Sequence, residues 1–227
     1  DNATIPITAA DGQRAFKVYA RVYDKTDSRP RIAVIVAELG LSQGVSQAAI
    51  NDLPGPITLA FSNNSREPDA WMARARSLGH ETLLSIPMEP LDFPMSDPGP
   101  NTLLLHNNND ENKALLLKHL VNGKGYIGVT SLSGTRMSAT PEKLKPVLEE
   151  INKRGMMWFD TNLTPLSTGA QVAAEIGMSV AKSDAHVEDG MSAAAILRVL
   201  EEAENAAAKT GSAVVLADAS PLCVSTL

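Results

Sequence analysis

RIAVIVAELGLSQG, residues 31–44, decides the fold. The unbroken apolar run at 32–36 has the length and β-branching of a fully buried strand, and Gly40 and Gly44 supply the break that follows one. The run predicts the first, central strand of a parallel sheet. In α/β sheets and barrels, chemistry gathers at the carboxyl ends of such strands, so Glu38 stands where a functional group is placed. On this stretch alone, the competing reading of Glu38 is a solvated loop acid.

Working outward, strands predicted over 57–61, 80–86, 126–129, 156–159, 179–181 and 213–217 alternate with helices over 45–53, 68–78, 112–121, 141–155, 167–176 and 192–209. Together with the first run this makes seven strands with helices between them. Such alternation predicts an α/β fold with a parallel sheet and helices outside, either an irregular barrel or a doubly wound sheet. Upstream, Phe16, Val18, Ala20 and Val22 alternate with polar neighbours, which predicts a strand or extended arm over 15–23. DKTDSRP at 24–30 has linker chemistry, so residues 1–30 read as an amino-terminal arm and linker and 31–227 as the compact domain. Residues 91–109 carry Pro94, Pro98 and Pro100 and no periodicity, which marks a long loop of the kind used for function or motion.

Bulk properties narrow the function classes. At 227 residues and 44% hydrophobic composition the chain can build one sizeable core. Its 20 basic and 26 acidic residues give a formal charge of -6 with no basic block, which argues against a nucleic-acid partner. Cys223 is the single cysteine, so neither an internal disulfide nor a thiolate metal site can form. No apolar run reaches the eighteen or more residues that a membrane span needs, so none is expected in this chain.

Three predicted strands end in a carboxylate: Glu38, Asp160 and Asp218. On one barrel rim they would do general acid and base work or bind a divalent cation, and they are the candidate catalytic residues. Glu89, Ser131 and Arg136, in the adjoining loops, are the candidate substrate-binding groups. His80 opens its strand rather than closing it, which places it near the opposite rim in a structural role. His106, His119 and His186 have no metal-pair spacing, so no metal-ligand set is assigned and no resident cofactor is expected, a divalent metal at the three acids being the open alternative. No GxSxG elbow, Walker loop or dinucleotide fingerprint is present.

The succession IAVIVAELGLS, LPGPITLAFSN, ARSLGHETLLSIPMEPLDFP, DPGPNTL, YIGVTSLSGTRM, RGMMWFDTN and GSAVVLADASP, in that order across residues 31–227, resembles the divergent polysaccharide deacetylase family. GHE at 79–81 followed by PMEP at 87–90 is its most specific part. The resemblance implies an irregular seven-stranded β/α barrel of the carbohydrate deacetylase type, a polysaccharide or oligosaccharide partner, and removal of acetyl groups by a metal-activated water. It also implies a periplasmic or cell-envelope location. His80, Glu81, Pro87 and Asp160 match the family pattern, whereas Ala37 and Glu38 stand in place of two aspartates, and Leu132 and Asp218 in place of two histidines. Leucine has no lone pair to give a metal, and aspartate replaces a neutral nitrogen donor by an anionic oxygen. The expectation is a degenerate metal site beside a retained carbohydrate groove. An active deacetylase or hydrolase using a carboxylate-rich site, and an envelope scaffold that binds a protein partner, are the alternatives.

Overall fold

The apolar run at the head of the domain forms β1 (Arg31–Leu39), which continues past Val36 because Ala37 and Leu39 extend its burial. The computed structural model describes residues 4–24 and 26–227. After β1 come β2 (Thr58–Ser62), β3 (Thr82–Ser85), β4 (Gly128–Thr130), β5 (Met157–Asp160), β6 (Val180–Lys182), β7 (Ala185–Val187) and β8 (Ser212–Asp218). The helices are α1 (Ala15–Val18), α2 (Gln43–Asp52), α3 (Pro68–Ser77), α4 (Asn109–Leu120), α5 (Thr135–Ser138), α6 (Pro141–Lys153), α7 (Gly169–Glu175), α8 (Ala193–Thr210) and α9 (Pro221–Thr226). Among the described residues none is long and apolar enough to cross a membrane.

All neighbouring strands pair in parallel, in the order β6-β5-β4-β3-β2-β1-β8-β7. Side chains alternate across this sheet. Ile35, Ala37, Ala60, Leu83, Ile127, Phe159 and Leu216 form the inner cluster. Val36, Leu59, Phe61, Leu84, Val129, Trp158 and Val215 belong to the larger cluster that the helices cover. Burial on both faces is why these strands read as continuous apolar runs.

The strand count is eight rather than seven. The additional strand, β7, is three residues long and contains His186, so it carries no periodic signal. Ser183 N–H donates to the Asp160 carbonyl at 2.9 Å and Asp184 N–H to the Val214 carbonyl at 2.8 Å, so two residues carry the chain from the β5 side to the β8 side. At roughly 3.8 Å per residue, that link holds the two ends of the sheet close together and curls it into a barrel-like wall.

The arm departs from its predicted extended form. α1 is a single helical turn, which buries Ala15 and sets Phe16 against the inner cluster, while Val22 remains 93% exposed. Arg21 N–H donates to Glu81 Oε1 at 2.6 Å and the Arg21 guanidinium to the Gly79 carbonyl at 3.0 Å, tying the arm to the amino-terminal end of the sheet. Phe16→Ala is expected to lower stability by about 2 kcal/mol in urea unfolding, because it opens a void beneath the inner cluster. Val22→Ala should change it by less than about 0.5 kcal/mol.

Candidate functional site

A cavity of about 370 Å³ lies over the carboxyl ends of the strands. Parallel strands deliver their last residues to one rim. Glu38 comes from β1, Ser62 and Ser85 close β2 and β3, Leu132 and Ser133 follow β4, Leu163 follows β5, His186 lies in β7 and Asp218 closes β8. Asn64, Ile86, Pro87 and Pro98 complete the lining. The segment 91–109 supplies Pro98, whose carbonyl accepts from Asn64 Nδ2 at 2.8 Å. Its return is pinned by the parallel bridge of Met88 with Leu103.

Glu38 is presented by an irregular backbone. Its φ of 60° is in the left-handed region, and the β1–β2 register shifts between Val36 and Leu39. This bulge re-aims a side chain that a regular strand would direct outward. The Ser85 hydroxyl donates to Glu38 Oε1 at 3.1 Å. Burial raises the Glu38 carboxyl above its ordinary range, the hydroxyls of Ser85 and Ser62 oppose that rise, and the charge of Asp218 adds to it.

The neighbouring strands β8 and β7 supply a hydrogen-bonded pair. His186 Nε2 donates to Asp218 Oδ1 at 2.9 Å, and Asp218 Oδ2 accepts the Asp189 N–H at 3.1 Å. Beneath them Cys223 is buried, and burial, followed by the charges of Asp218 and Asp189, pushes its thiol up to about 11. It is an unreactive core thiol.

The residues singled out in the sequence therefore divide. Glu38 and Asp218 share the cavity. Asp160 does not line it: it is 2% exposed, and its two oxygens accept from Asn162 N–H, Ser167 Oγ and Ala170 N–H, at the start of α7. A Cβ at Gly169 would come within 2.9 Å of Asp160 Oδ2, so the turn needs glycine there. Glu89 is likewise internal, bound to Arg136 at 2.9 Å through Oε1 and to Leu105 N–H at 2.7 Å through Oε2. Ser131 is buried and accepts the Gly134 N–H. Glu89, Arg136 and Ser131 are not among the residues that line the cavity, Glu89 and Ser131 being buried and the half-exposed Arg136 side chain being held by Glu89. His80 is structural as expected, with its ring nitrogens against the Ile57 and Ile50 carbonyls at 2.8 and 3.2 Å.

Sequence reasoning missed His186, Ser62 and Ser85. A polar residue closing an apolar strand was the available signal for the two serines, in LAFS and TLLS. His186 had none, because its partner lies 32 residues away.

The donors closest in kind to a metal site are Glu38, His186 and Asp218. Asp218 already holds His186 and the Asp189 N–H, Leu132 contributes only an alkyl chain, and among the described residues no three His, Cys, Asp or Glu side chains are grouped to hold an ion. This donor set does not fit a divalent cation.

A curled parallel sheet with helices outside and a polar cavity over its strand ends defines an α/β protein of the deacetylase-like barrel class. The chain belongs to the divergent polysaccharide deacetylase family, which it matches over residues 34–227. It superimposes on the crystal structure of ATU2773 from Agrobacterium tumefaciens C58 with a TM-score of 0.95 and 34% identity, across 99% of this chain and 91% of that one. It is 20% identical to YibQ of Escherichia coli K12 over 197 residues, 87% of this chain and 61% of YibQ, so it spans about three fifths of that relative. A Haemophilus influenzae Rd protein is 20% identical over 200 residues, 88% of this chain and 70% of the relative.

The pH behaviour of Glu38 follows from its surroundings. Because its folded-state pKa is raised, stability falls as pH rises from the ordinary carboxylate value through the raised one, and Glu38→Gln should remove that slope in urea unfolding. In a carboxyl-carbon NMR titration, Asp218→Asn is expected to move the Glu38 midpoint down and Ser85→Ala to move it further up.

Proposed function

We propose that this chain is a deacetylase-like protein of carbohydrate metabolism whose metal site is degenerate and whose rim cavity holds a polysaccharide or oligosaccharide segment. The observation that carries the reading is the make-up of the cavity: three serines, an asparagine, a histidine and two carboxylates face an apolar wall of Ile86, Pro87, Leu132 and Leu163. Hydroxyls, amides and carboxylates meet the equatorial hydroxyls of a sugar, and the aliphatic wall takes its C–H face. The site belongs to a cell-envelope or periplasmic setting, as the resemblance implies. Family membership supports the carbohydrate class, and the commitment of Asp218 to His186 and Asp189 supports the loss of metal chemistry.

A second reading is hydrolytic, and one observation favours it. His186 is oriented by Asp218 in the same cavity as Glu38, whose carboxyl holds its proton to higher pH than usual. Such a set can take a proton from water at the imidazole and give one to a leaving group from Glu38. Release of acetate or of reducing ends from oligosaccharides, abolished by His186→Ala, would establish this activity; binding without turnover would leave the first reading.

The primary test is titration with chitooligosaccharides of mixed acetylation, followed by amide NMR. Shifts confined to the rim residues are expected, and Leu163→Trp, which fills the cavity, should weaken binding by about tenfold or more. Shifts at the arm alone, or none, would overturn the reading. Elemental analysis after incubation with zinc should give well under one metal per chain.

A further inference from the structure

We infer that the sugar held by the rim cavity carries a free ammonium, so that its ligand is a de-N-acetylated amino sugar rather than the acetylated form. The inference rests on the carbohydrate reading above and names the chemistry of the ligand at that same site.

The argument is one of charge and of unmet acceptors within a formed cavity. Glu38 and Asp218 both face it, and among the described residues no lysine or arginine lines it. The basic group closest in role, the Arg136 guanidinium, is held outside the lining by Glu89. Among the described residues that line it, His186 is the one side chain able to carry a positive charge, and its Nε2 is committed to Asp218 Oδ1. Glu188 lies on the far side of that ring, 4.0 Å from Nδ1, and Asp189 follows it, so the elements around His186 add further acids rather than bases. Glu38 is met by the hydroxyls of Ser85, on Oε1, and Ser62, and a carboxylate with about four lone-pair sites keeps acceptor capacity beyond those two donors.

A metal would answer this charge elsewhere in such a fold, but the donor set here does not fit one. A ligand that brings a positive charge is the electrostatic complement of this cavity. An ammonium on a sugar ring offers three N–H donors and a full positive charge to a half-buried carboxylate, forming charge-assisted hydrogen bonds. An acetamide offers one N–H and no charge, and its carbonyl gains nothing from the two carboxylates or from the Ser85 hydroxyl, which already donates to Glu38. The aliphatic wall of Leu132 and Leu163 then takes the ring face, and the carboxylates select the substituent.

The test is calorimetric titration of the full chain with triglucosamine, tri-N-acetylglucosamine, cellotriose and a lysine tripeptide, at a pH where the free amine is protonated. Triglucosamine is expected to bind about tenfold or more tightly than the other three, less so as salt rises, and E38Q and D218N should each reduce it toward the acetylated sugar. Equal or tighter binding of the acetylated sugar or of cellotriose would overturn the inference and leave the carbohydrate reading standing. Equal binding of the tripeptide would overturn it by showing that any ammonium suffices. If no sugar binds, both readings fall. Should either variant unfold in a thermal melt, the comparison of ligands on the wild-type chain decides alone.

Discussion

The backbone pairing on either side of Ser183 and Asp184 is the constraint on which this molecule depends. A parallel sheet of this kind leaves donors and acceptors unmet along its two outer edges unless something pairs with them. Here one stretch of chain serves both sides: β6 pairs with Trp158, Phe159 and Asp160, and β7 with Val215, Leu216 and Ala217. The curl that follows sets the register His186 to Leu216, which puts the imidazole one strand away from Asp218. Without that pairing there would be no histidine at the rim and no coupled carboxylate.

The two ends of the sheet have been given different tasks. At the amino-terminal end, Phe16 closes the inner cluster, Glu81 holds the arm, and His80 bridges the end of α2 to the start of β2. The GHE stretch at 79–81 is therefore a fastening in this chain, and none of its residues lines the cavity. At the carboxyl end no such plug is present among the described residues, and side chains from β1, β2, β3, β7 and β8 converge on open volume.

Carboxylates show the same division. A buried carboxylate survives when each of its oxygens is met by donors. Asp160 and Glu89 satisfy that rule with backbone N–H groups, hydroxyls and a guanidinium, and are thereby structural. Glu38 has only hydroxyl partners, Ser85 at 3.1 Å and Ser62, together with a backbone in the left-handed region and a raised pKa. Weaker satisfaction together with local strain sets Glu38 apart from the two fastening carboxylates.

The sequence by itself determined the parallel α/β class, the central strand, most helix positions and the rim on which Glu38 and Asp218 lie, because burial on both faces writes continuous apolar runs and parallel strands all end on one side. Helix ends were equally legible where local chemistry sets them, as at Ser192 and Gly211, which cap α8. Only the tertiary structure decided that 180–187 is two strands, that 15–18 is a helical turn rather than part of a strand, and that Asp160, Glu89 and Ser131 point into the fabric instead of the cavity. It alone paired His186 with Asp218. The physical reason is that periodicity reports which face of an element is buried, whereas the partner of a polar side chain is set by long-range pairing and by single dihedral angles such as φ at Glu38, which leave no periodic trace.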